Sequence, residues 1–268
     1  MNDLLDTVLR DLAAEGDRLE GIVSGLTEDG WRTPTPAVGW DVAAQVAHLA
    51  WTDEVAVFAA SDKEKWGEVV VQAIGDPDGF ADSAALAGAA ADPDDILRRW
   101  GTARGSLQET LQETLRSFPA GQRLPWFGPP MSPTSMATAR FMETWAHSLD
   151  VAEALGVPPE PSDRIRHVAH LGVRTRNFAF GVHGLEPPAE EFGVTLVSPS
   201  EEVWSWGPED ADQTVTGSAY DFCLLVTRRR HRADTDLVAF GADADRWLDI
   251  AQAFAGPPGE GRSPVVEQ

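Results

Sequence analysis

The sequence predicts an α+β protein, in which a bundle of long helices is followed by a small α/β domain. Residues 1–185 contain four long segments with apolar side chains at helical spacing, and a fifth, at 162–181, continues the pattern. Near residues 187–191 the pattern changes to the two-residue alternation of strands, mixed with short helices. A chain of 268 residues is long enough to bury a core.

The first three helices of the predicted bundle have recognisable faces or starts. Residues 3–25 repeat leucine, isoleucine and valine at intervals of three and four, which predicts one amphipathic helix. Asp41 stands where an N-cap belongs for the second helix, DVAAQVAHLAWTDEVAVFAAS. Asp92 and Pro93 open the third helix, because proline fits the first turn of a helix.

The fourth helix spans roughly 134–155, and Gly156 and Pro158 close it. Between the second and third helices, residues 75–92 are rich in glycine and alanine. We expect that segment to be a loop on the surface.

The second predicted domain covers residues 191–255. Alternating side chains in FGVTLVSP and EVWSWGP predict two strands, and DLVAFG predicts a third. DQTVTGS leads into a helix, SAYDFCLLVTRRR, and ADADRWLDIAQAFAG forms a last helix. Residues 256–268, GPPGEGRSPVVEQ, are predicted to be a disordered tail.

Charge and composition restrict the partners. The formal net charge is −22, which argues against nucleic acid and anionic membranes, since both are bound by basic patches. The single cysteine, Cys223, fits a reducing compartment. No apolar run reaches membrane-spanning length, and the first residues lack the segments of a signal peptide. We expect a cytoplasmic monomer or homodimer.

Glu143 and His147 are four residues apart in the fourth predicted helix, so their side chains share one face. Two interpretations compete. The two residues are a solvated or self-satisfied pair, or they are two ligands of a metal whose third ligand lies elsewhere.

His48, in an apolar stretch of the second helix, is the candidate third ligand. A lone histidine on an apolar face is more often a satisfied core residue than a ligand, but helix bundles build metal sites from such residues on facing helices. Two nitrogens and one carboxylate suit zinc, and three protein ligands leave one position open for chemistry. Spacing alone leaves both interpretations open.

Asp150 and Trp126 are further candidates near this helix. Asp150 follows His147 by three residues, so it either orients that imidazole, contacts a bound cofactor, or is a polar residue at the bundle mouth. Trp126 precedes the helix in a loop and is either a rim aromatic or the wall of a pocket.

Arg228, Arg229 and Arg230 form the only basic block of an acidic chain. Such a run is usually a solvated face, or a complement to the carboxyl end of its helix.

Two stretches carry a resemblance to a known family. Residues 39–50, GWDVAAQVAHLA, resemble a segment of the DinB-like metal-binding superfamily. Residues 139–156, ARFMETWAHSLDVAEALG, with PWFGPPMSP ahead of them, are similar to the partner motif of the mycothiol-dependent maleylpyruvate isomerase family. The resemblance covers roughly residues 5–160 as a DinB-like four-helix bundle and, more loosely, 190–255 as a carboxy-terminal domain.

The resemblance implies a divalent metal, most simply zinc, held by His48, Glu143 and His147. It also implies mycothiol as a thiol cosubstrate. A free thiol is a poor nucleophile near neutral pH because its pKa is about 8.5, and a divalent cation with an open position deprotonates a bound thiol. The thiolate then adds to a small electrophile, which is either isomerised or left as an S-conjugate.

The family also carries a functional arginine in its second domain. We expect one of Arg228, Arg229 and Arg230 to face the open metal position and clamp an anionic substrate, because a chain of net charge −22 otherwise repels anions. Two rival functions remain open: a metal-assisted hydrolase and a non-catalytic metal-binding protein of the same fold.

Overall fold

The computed structural model of the chain describes residues 3–117, 119, 121–256, 259 and 261–265. It contains two compact units, Met1–Pro159 and Glu160–Gln268. The helices of the first unit are α1 (Asp3–Val23), α2 (Glu28–Trp31), α3 (Val42–Ser61), α4 (Lys63–Gly75), α5 (Phe80–Ala89), α6 (Pro93–Ser117) and α7 (Pro133–Ala154). The elements of the second unit are α8 (Arg166–Arg174), α9 (Arg176–Val182), β1 (Gly193–Val197), β2 (Val203–Trp206), β3 (Thr214–Ser218), α10 (Ala219–Val226), β4 (Val238–Phe240) and α11 (Ala242–Ile250). The predicted α+β class is confirmed.

Helices α1, α3, α6 and α7 pack against one another as a four-helix bundle. The central helix is α3, which contacts α4, α5, α6 and α7 and buries residues on all of its sides between Val42 and Ala56. A helix that is apolar all round belongs inside a protein, which explains this position. Within the described residues, no helix combines the length and the apolar character that crossing a membrane requires.

The amino-terminal caps of α3 and α7 fix where these two helices begin. The Asp41 carboxylate accepts a hydrogen bond from the backbone N–H of Ala44 at 2.8 Å, as the sequence predicts for an N-cap. At the start of α7, the Ser132 hydroxyl accepts from the N–H of Ser135 at 3.0 Å, and Pro133 occupies the first turn. Because side-chain direction follows from position along a helix, both caps also set the face on which each later residue lies.

The prediction that residues 75–92 form a surface loop is wrong in part, because this segment contains α5. Alanine has the highest helix propensity, and this segment is alanine-rich. Ala85 and Ala89 are buried, and α5 packs on α3. Their small side chains let α5 lie close to the bundle, so the segment forms an extra helix against it.

The second unit is built on a four-stranded sheet of order β2-β1-β3-β4. Strand β1 pairs antiparallel with β2 and parallel with β3, and β3 pairs antiparallel with β4. The predicted strands correspond to β1, β2 and β4. The stretch DQTVTGS, expected only to lead into a helix, contains β3, one of the two central strands, in which Gly217 adopts a φ of 146°. A glycine in a short strand hides the strand pattern, since it adds no side chain to the alternation.

The predicted helix at 162–181 lies in the second unit and is divided into a 3-10 turn at Asp163–Ile165, α8 and α9. Helix α8 packs on α10 at Gly172. A Cβ atom at Gly172 would stand 2.9 Å from the Phe222 ring and 3.0 Å from the methyl groups of Val226, so only glycine permits this approach.

The predicted disordered tail, residues 256–268, is described only in part, because residues 257–258, 260 and 266–268 lie outside the described residues. Near its end, the backbone N–H of Val265 donates to the carboxylate of Asp234 at 3.0 and 3.2 Å. Whether the tail is disordered as a whole stays a prediction.

A buried ion pair joins α7 to α3. The Nε of Arg140 donates to Oδ1 of Asp53 at 2.8 Å, and its Nη2 donates to the hydroxyl of Thr52. Both charged side chains are only 2% exposed. Burial raises the pKa of the Asp53 carboxyl, and the adjacent Arg140 guanidinium opposes that rise.

Arg140→Met should destabilise the protein by about 3–5 kcal/mol, because it leaves the Asp53 carboxylate buried without its partner. Urea unfolding followed by circular dichroism measures the change.

The double variant Arg140→Met/Asp53→Leu should regain most of that stability, since no uncompensated charge remains inside the bundle. An Arg140→Met protein that unfolds at the wild-type urea midpoint would show that the ion pair does not hold α3 to α7.

Candidate metal centre

Helices α3 and α7 bring together the three predicted ligands, His48, Glu143 and His147. The Oε2 atom of Glu143 lies 3.2 Å from Nε2 of His147 and 3.5 Å from Nε2 of His48. One donor atom from each residue lies within 4.8 Å of both others. Among the described residues, they form the group of histidine, cysteine and carboxylate side chains that could share a metal ion.

These three side chains fit a small divalent cation. Donors about 2.1 Å from one tetrahedral ion stand about 3.4 Å apart, which is close to the two separations from the Glu143 carboxylate. The side chains of His48, His147 and Glu143 are 11, 12 and 22% exposed, so solvent reaches the site. Two imidazoles and one carboxylate form a donor set that zinc accepts, with one tetrahedral position left over.

The charges around Glu143 keep it ionised. Burial alone would raise the pKa of its carboxyl, but the adjacent imidazoles of His147 and His48 and the nearby charge of Arg140 hold that pKa well below its usual range. An ionised carboxylate is the form that binds a cation.

Each imidazole is held in place differently. His147 is hydrogen-bonded through Nδ1 to Oε1 of Gln45, and the ring of Trp40 stacks on it at 5.8 Å and 15°. His48 lies between Trp40 and Trp51, with ring centroids 5.0 and 6.0 Å away. Its Nδ1 is buried and has no hydrogen-bond partner in the described part of the chain, so packing orients this ring.

A row of aromatic rings extends from the site. Trp126, the predicted pocket wall, belongs to this row. The row reaches the site at Trp51, whose ring centroid lies 6.0 Å from that of His48. Neighbouring rings stand 5.1 to 6.0 Å apart, which is the range of favourable aromatic contacts. The members of this aromatic row are Trp51, Phe80, Trp66, Phe127 and Trp126.

Asp150, the predicted positioning or cofactor-binding residue, is on α7 one turn after His147 and is 3% exposed. Its role stays a prediction.

The predicted arginines follow α10 in the second unit. Arg228 has a φ of 61°, and burial lowers the pKa of its guanidinium, whose Nε has no hydrogen-bond partner in the described range. Arg229 donates to the carbonyl of Thr227 at 2.7 Å, and Arg230 pairs with Asp221. Arg228 and Arg230 border a cavity of about 570 Å³.

Sequence reasoning missed Gln45 and Asp53 and the partner of Arg140, although these residues left a signal. Gln45 is polar in the otherwise apolar stretch that holds His48, and Asp53 is the next acidic residue on the same helix. Arg140 precedes Glu143 by three residues, which places both on one side of α7. Polar residues in apolar helices require partners, but the sequence does not show which ones they find.

Comparison with known proteins agrees with this fold. Residues 12–152 match the family described as "Mycothiol maleylpyruvate isomerase N-terminal domain". Residues 198–239 match a second family, described as "Wyosine base formation". In Mycobacterium tuberculosis, uncharacterised proteins of strains CDC 1551 / Oshkosh and ATCC 25618 are each 55% identical over 252 residues, covering 94% of this chain and 96% of the relative.

Among solved structures, the crystal structure of the mycothiol-dependent maleylpyruvate isomerase matches with a TM-score of 0.53 and 13% identity, covering 88% of this chain and 92% of that chain. A histidine-to-alanine mutant of that enzyme matches equally. At this identity the likeness supports the fold alone. Because the family match covers more than half of the chain, this protein belongs to the mycothiol maleylpyruvate isomerase family.

Proposed function

We propose that this protein is an enzyme that holds one divalent metal ion, most simply zinc, and uses mycothiol to isomerise or S-conjugate a small electrophile. The observation that carries the proposal is the convergence of His48, Glu143 and His147 from two helices. Family membership supports the choice of thiol, since the matched family is described by mycothiol.

When bound, the cation supplies positive charge that lowers the pKa of a thiol and stabilises the thiolate. The protein contributes one negative charge, from Glu143, and two neutral imidazoles, so a divalent ion keeps a net positive charge for an anion. The Trp40 ring covers both imidazoles and limits the access of water from its side.

The thiol must come from outside the chain. Cys223 is the single cysteine and is fully buried, and burial raises the pKa of its thiol well above the ordinary value. Its Sγ donates to the carbonyl of Ile165 at 3.4 Å, as expected for a structural residue. A low-molecular-weight thiol therefore supplies the nucleophile.

Asp150 and Trp126 are the residues we propose to contact this thiol or to position the site. Trp126 stacks on Trp66 with ring centroids 6.0 Å apart, so it presents a fixed apolar wall on the aromatic row. Asp150 is a buried carboxylate on the same helix as Glu143 and His147, and a carboxylate accepts hydrogen bonds from hydroxyl and amide groups.

Arg228, Arg229 and Arg230 remain our candidates for binding an anionic substrate. Arg228 is favoured by its surroundings, because its guanidinium is half-buried and only desolvation shifts its pKa. Arg230 already neutralises Asp221. An incoming carboxylate would relieve the cost of burying an unpaired cation.

The first prediction concerns the metal. Purified wild-type protein should contain one divalent ion per chain, and His147→Ala should lose it while keeping its helical circular-dichroism signal, because apolar packing supplies most of the helix stability. Elemental analysis and far-ultraviolet spectra measure both. His183→Ala, a histidine outside the cluster, is the matched control and should retain the metal; collapse of the fold in His147→Ala alone would mark the site as structural.

The second prediction concerns the thiol. Mycothiol should raise the Tm of the metal-loaded wild-type protein, because a ligand that binds the native state stabilises it, and should leave the Tm of His147→Ala unchanged. Turnover of a panel of electrophiles should require the thiol. Thiol-independent hydrolysis would support the hydrolase, and metal binding with neither stabilisation nor turnover would support the non-catalytic protein.

The third prediction concerns the arginines. Alanine replacement of the arginine that binds substrate should raise KM or lower kcat for an anionic electrophile by about 10-fold or more, as expected for the loss of a charged hydrogen bond, without changing metal content. Arg228→Ala should show the largest effect, and the exposed Arg246→Ala is the control. Normal kinetics in all three single variants of residues 228–230 would reject the assignment.

A further inference from the structure

Gln45 is a polar side chain inside the bundle that bonds at both ends. It lies on α3 and is 0% exposed, so its amide must be satisfied by protein groups. One end contacts Nδ1 of His147, and the other end lies 2.8 Å from the hydroxyl of Thr35. The amide thus connects a proposed metal ligand to the loop that precedes α3.

The direction of each hydrogen bond follows from the last acceptor in the hydrogen-bond chain, which runs from His147 through Gln45 and Thr35 to Trp40. The carbonyl oxygen of Trp40 can only accept, so the hydroxyl of Thr35, 2.9 Å away, donates its proton to it. That hydroxyl must then accept from the NH₂ group of Gln45. The carbonyl end of Gln45 therefore faces His147, and Nδ1 of His147 carries the proton.

We infer that Gln45 is a positioning residue that, together with Thr35, keeps the proton of His147 on Nδ1 and so leaves the Nε2 lone pair for the metal. The inference rests on the metal site proposed above. Imidazole ligands commonly donate their second N–H to an acceptor that fixes the ring and raises its basicity. Here the acceptor is a neutral amide, which performs this task without adding negative charge to the site.

The reversed amide is unfavourable, which makes the arrangement specific. Rotating the Gln45 amide by half a turn would set its carbonyl oxygen against a Thr35 hydroxyl whose proton is already donated. It would also set NH₂ against Nδ1 of His147, which would then have to accept, with the imidazole proton moved to Nε2. Leaving the buried carbonyl oxygen of Gln45 without a donor costs about 1–3 kcal/mol. The backbone carbonyl of Trp40 thus selects the tautomer of an imidazole that its own ring covers.

Metal affinity tests the role of Gln45. Gln45→Leu keeps the side-chain volume but removes the acceptor, and should weaken zinc binding about 10- to 100-fold in competition with a chelator. Gln45→Glu keeps an acceptor oxygen and should stay close to wild type. Thr35→Val should weaken zinc binding, but less than Gln45→Leu does. Thr35→Ser keeps the hydroxyl and should bind zinc like wild type.

Thr138→Val is the matched control, because Thr138 is a buried hydroxyl on α7 that bonds only its own helix, to the carbonyl of Thr134. It should bind zinc like wild type. Equal affinity of Gln45→Leu and wild type would overturn the inference, and so would a Gln45→Glu protein that is folded but as weak as Gln45→Leu.

A second measurement needs neither metal nor activity. In metal-free protein labelled with ¹⁵N-histidine, His147 should show a slowly exchanging proton on Nδ1, assigned by its loss in His147→Ala. Gln45→Leu should lose that protection. An unprotonated Nδ1 in wild-type protein would overturn the inference. If the chain binds no zinc, the proposed function fails, whereas the proton position still decides the role of Gln45.

Discussion

The arrangement of the candidate metal centre depends on the buried ion pair between Arg140 and Asp53. A site with ligands on two helices requires that the helices keep one relative position along their axes, and apolar contacts, which have no direction, do not fix that position. A guanidinium donating to both a carboxylate and the Thr52 hydroxyl does have direction. Burying such a pair contributes little net stability, so its effect is to select one geometry for α3 and α7.

The three candidate ligands stand out in the sequence because each leaves a signal within its own helix. Glu143 and His147 share a face by spacing, and His48 is conspicuous in an apolar stretch. The bundle and three of the four strands could be predicted for the same reason. The partners of Gln45 and Arg140 could not, because they lie on other elements, and contacts between elements depend on packing that no local pattern records. Helix α5 and strand β3 were missed where alanine and glycine weaken the periodic signal.

The candidate site combines features that would suit the proposed thiol chemistry in an acidic protein. A chain of net charge −22 is a poor environment for a thiolate, and one carboxylate among three ligands limits the negative charge at the centre itself. Asp53, a buried acid on α3, is paired with Arg140. The surrounding aromatic side chains are uncharged and weakly hydrated. The overall charge is strongly negative, which favours solubility, whereas the negative charge next to the candidate ligands is limited.

The segment from Thr35 to Trp40 has a consequence for how the site can be controlled. This segment is part of the hydrogen-bond chain that ends at His147, and its Trp40 ring covers both imidazoles. Its ordered form and the proposed metal-bound form would therefore favour each other. Thermodynamic linkage is reciprocal: whatever free energy the ion gains from an ordered segment, the segment gains from the ion. A molecule that binds these residues and orders or disorders the segment would therefore raise or lower the metal affinity without contacting a metal ligand.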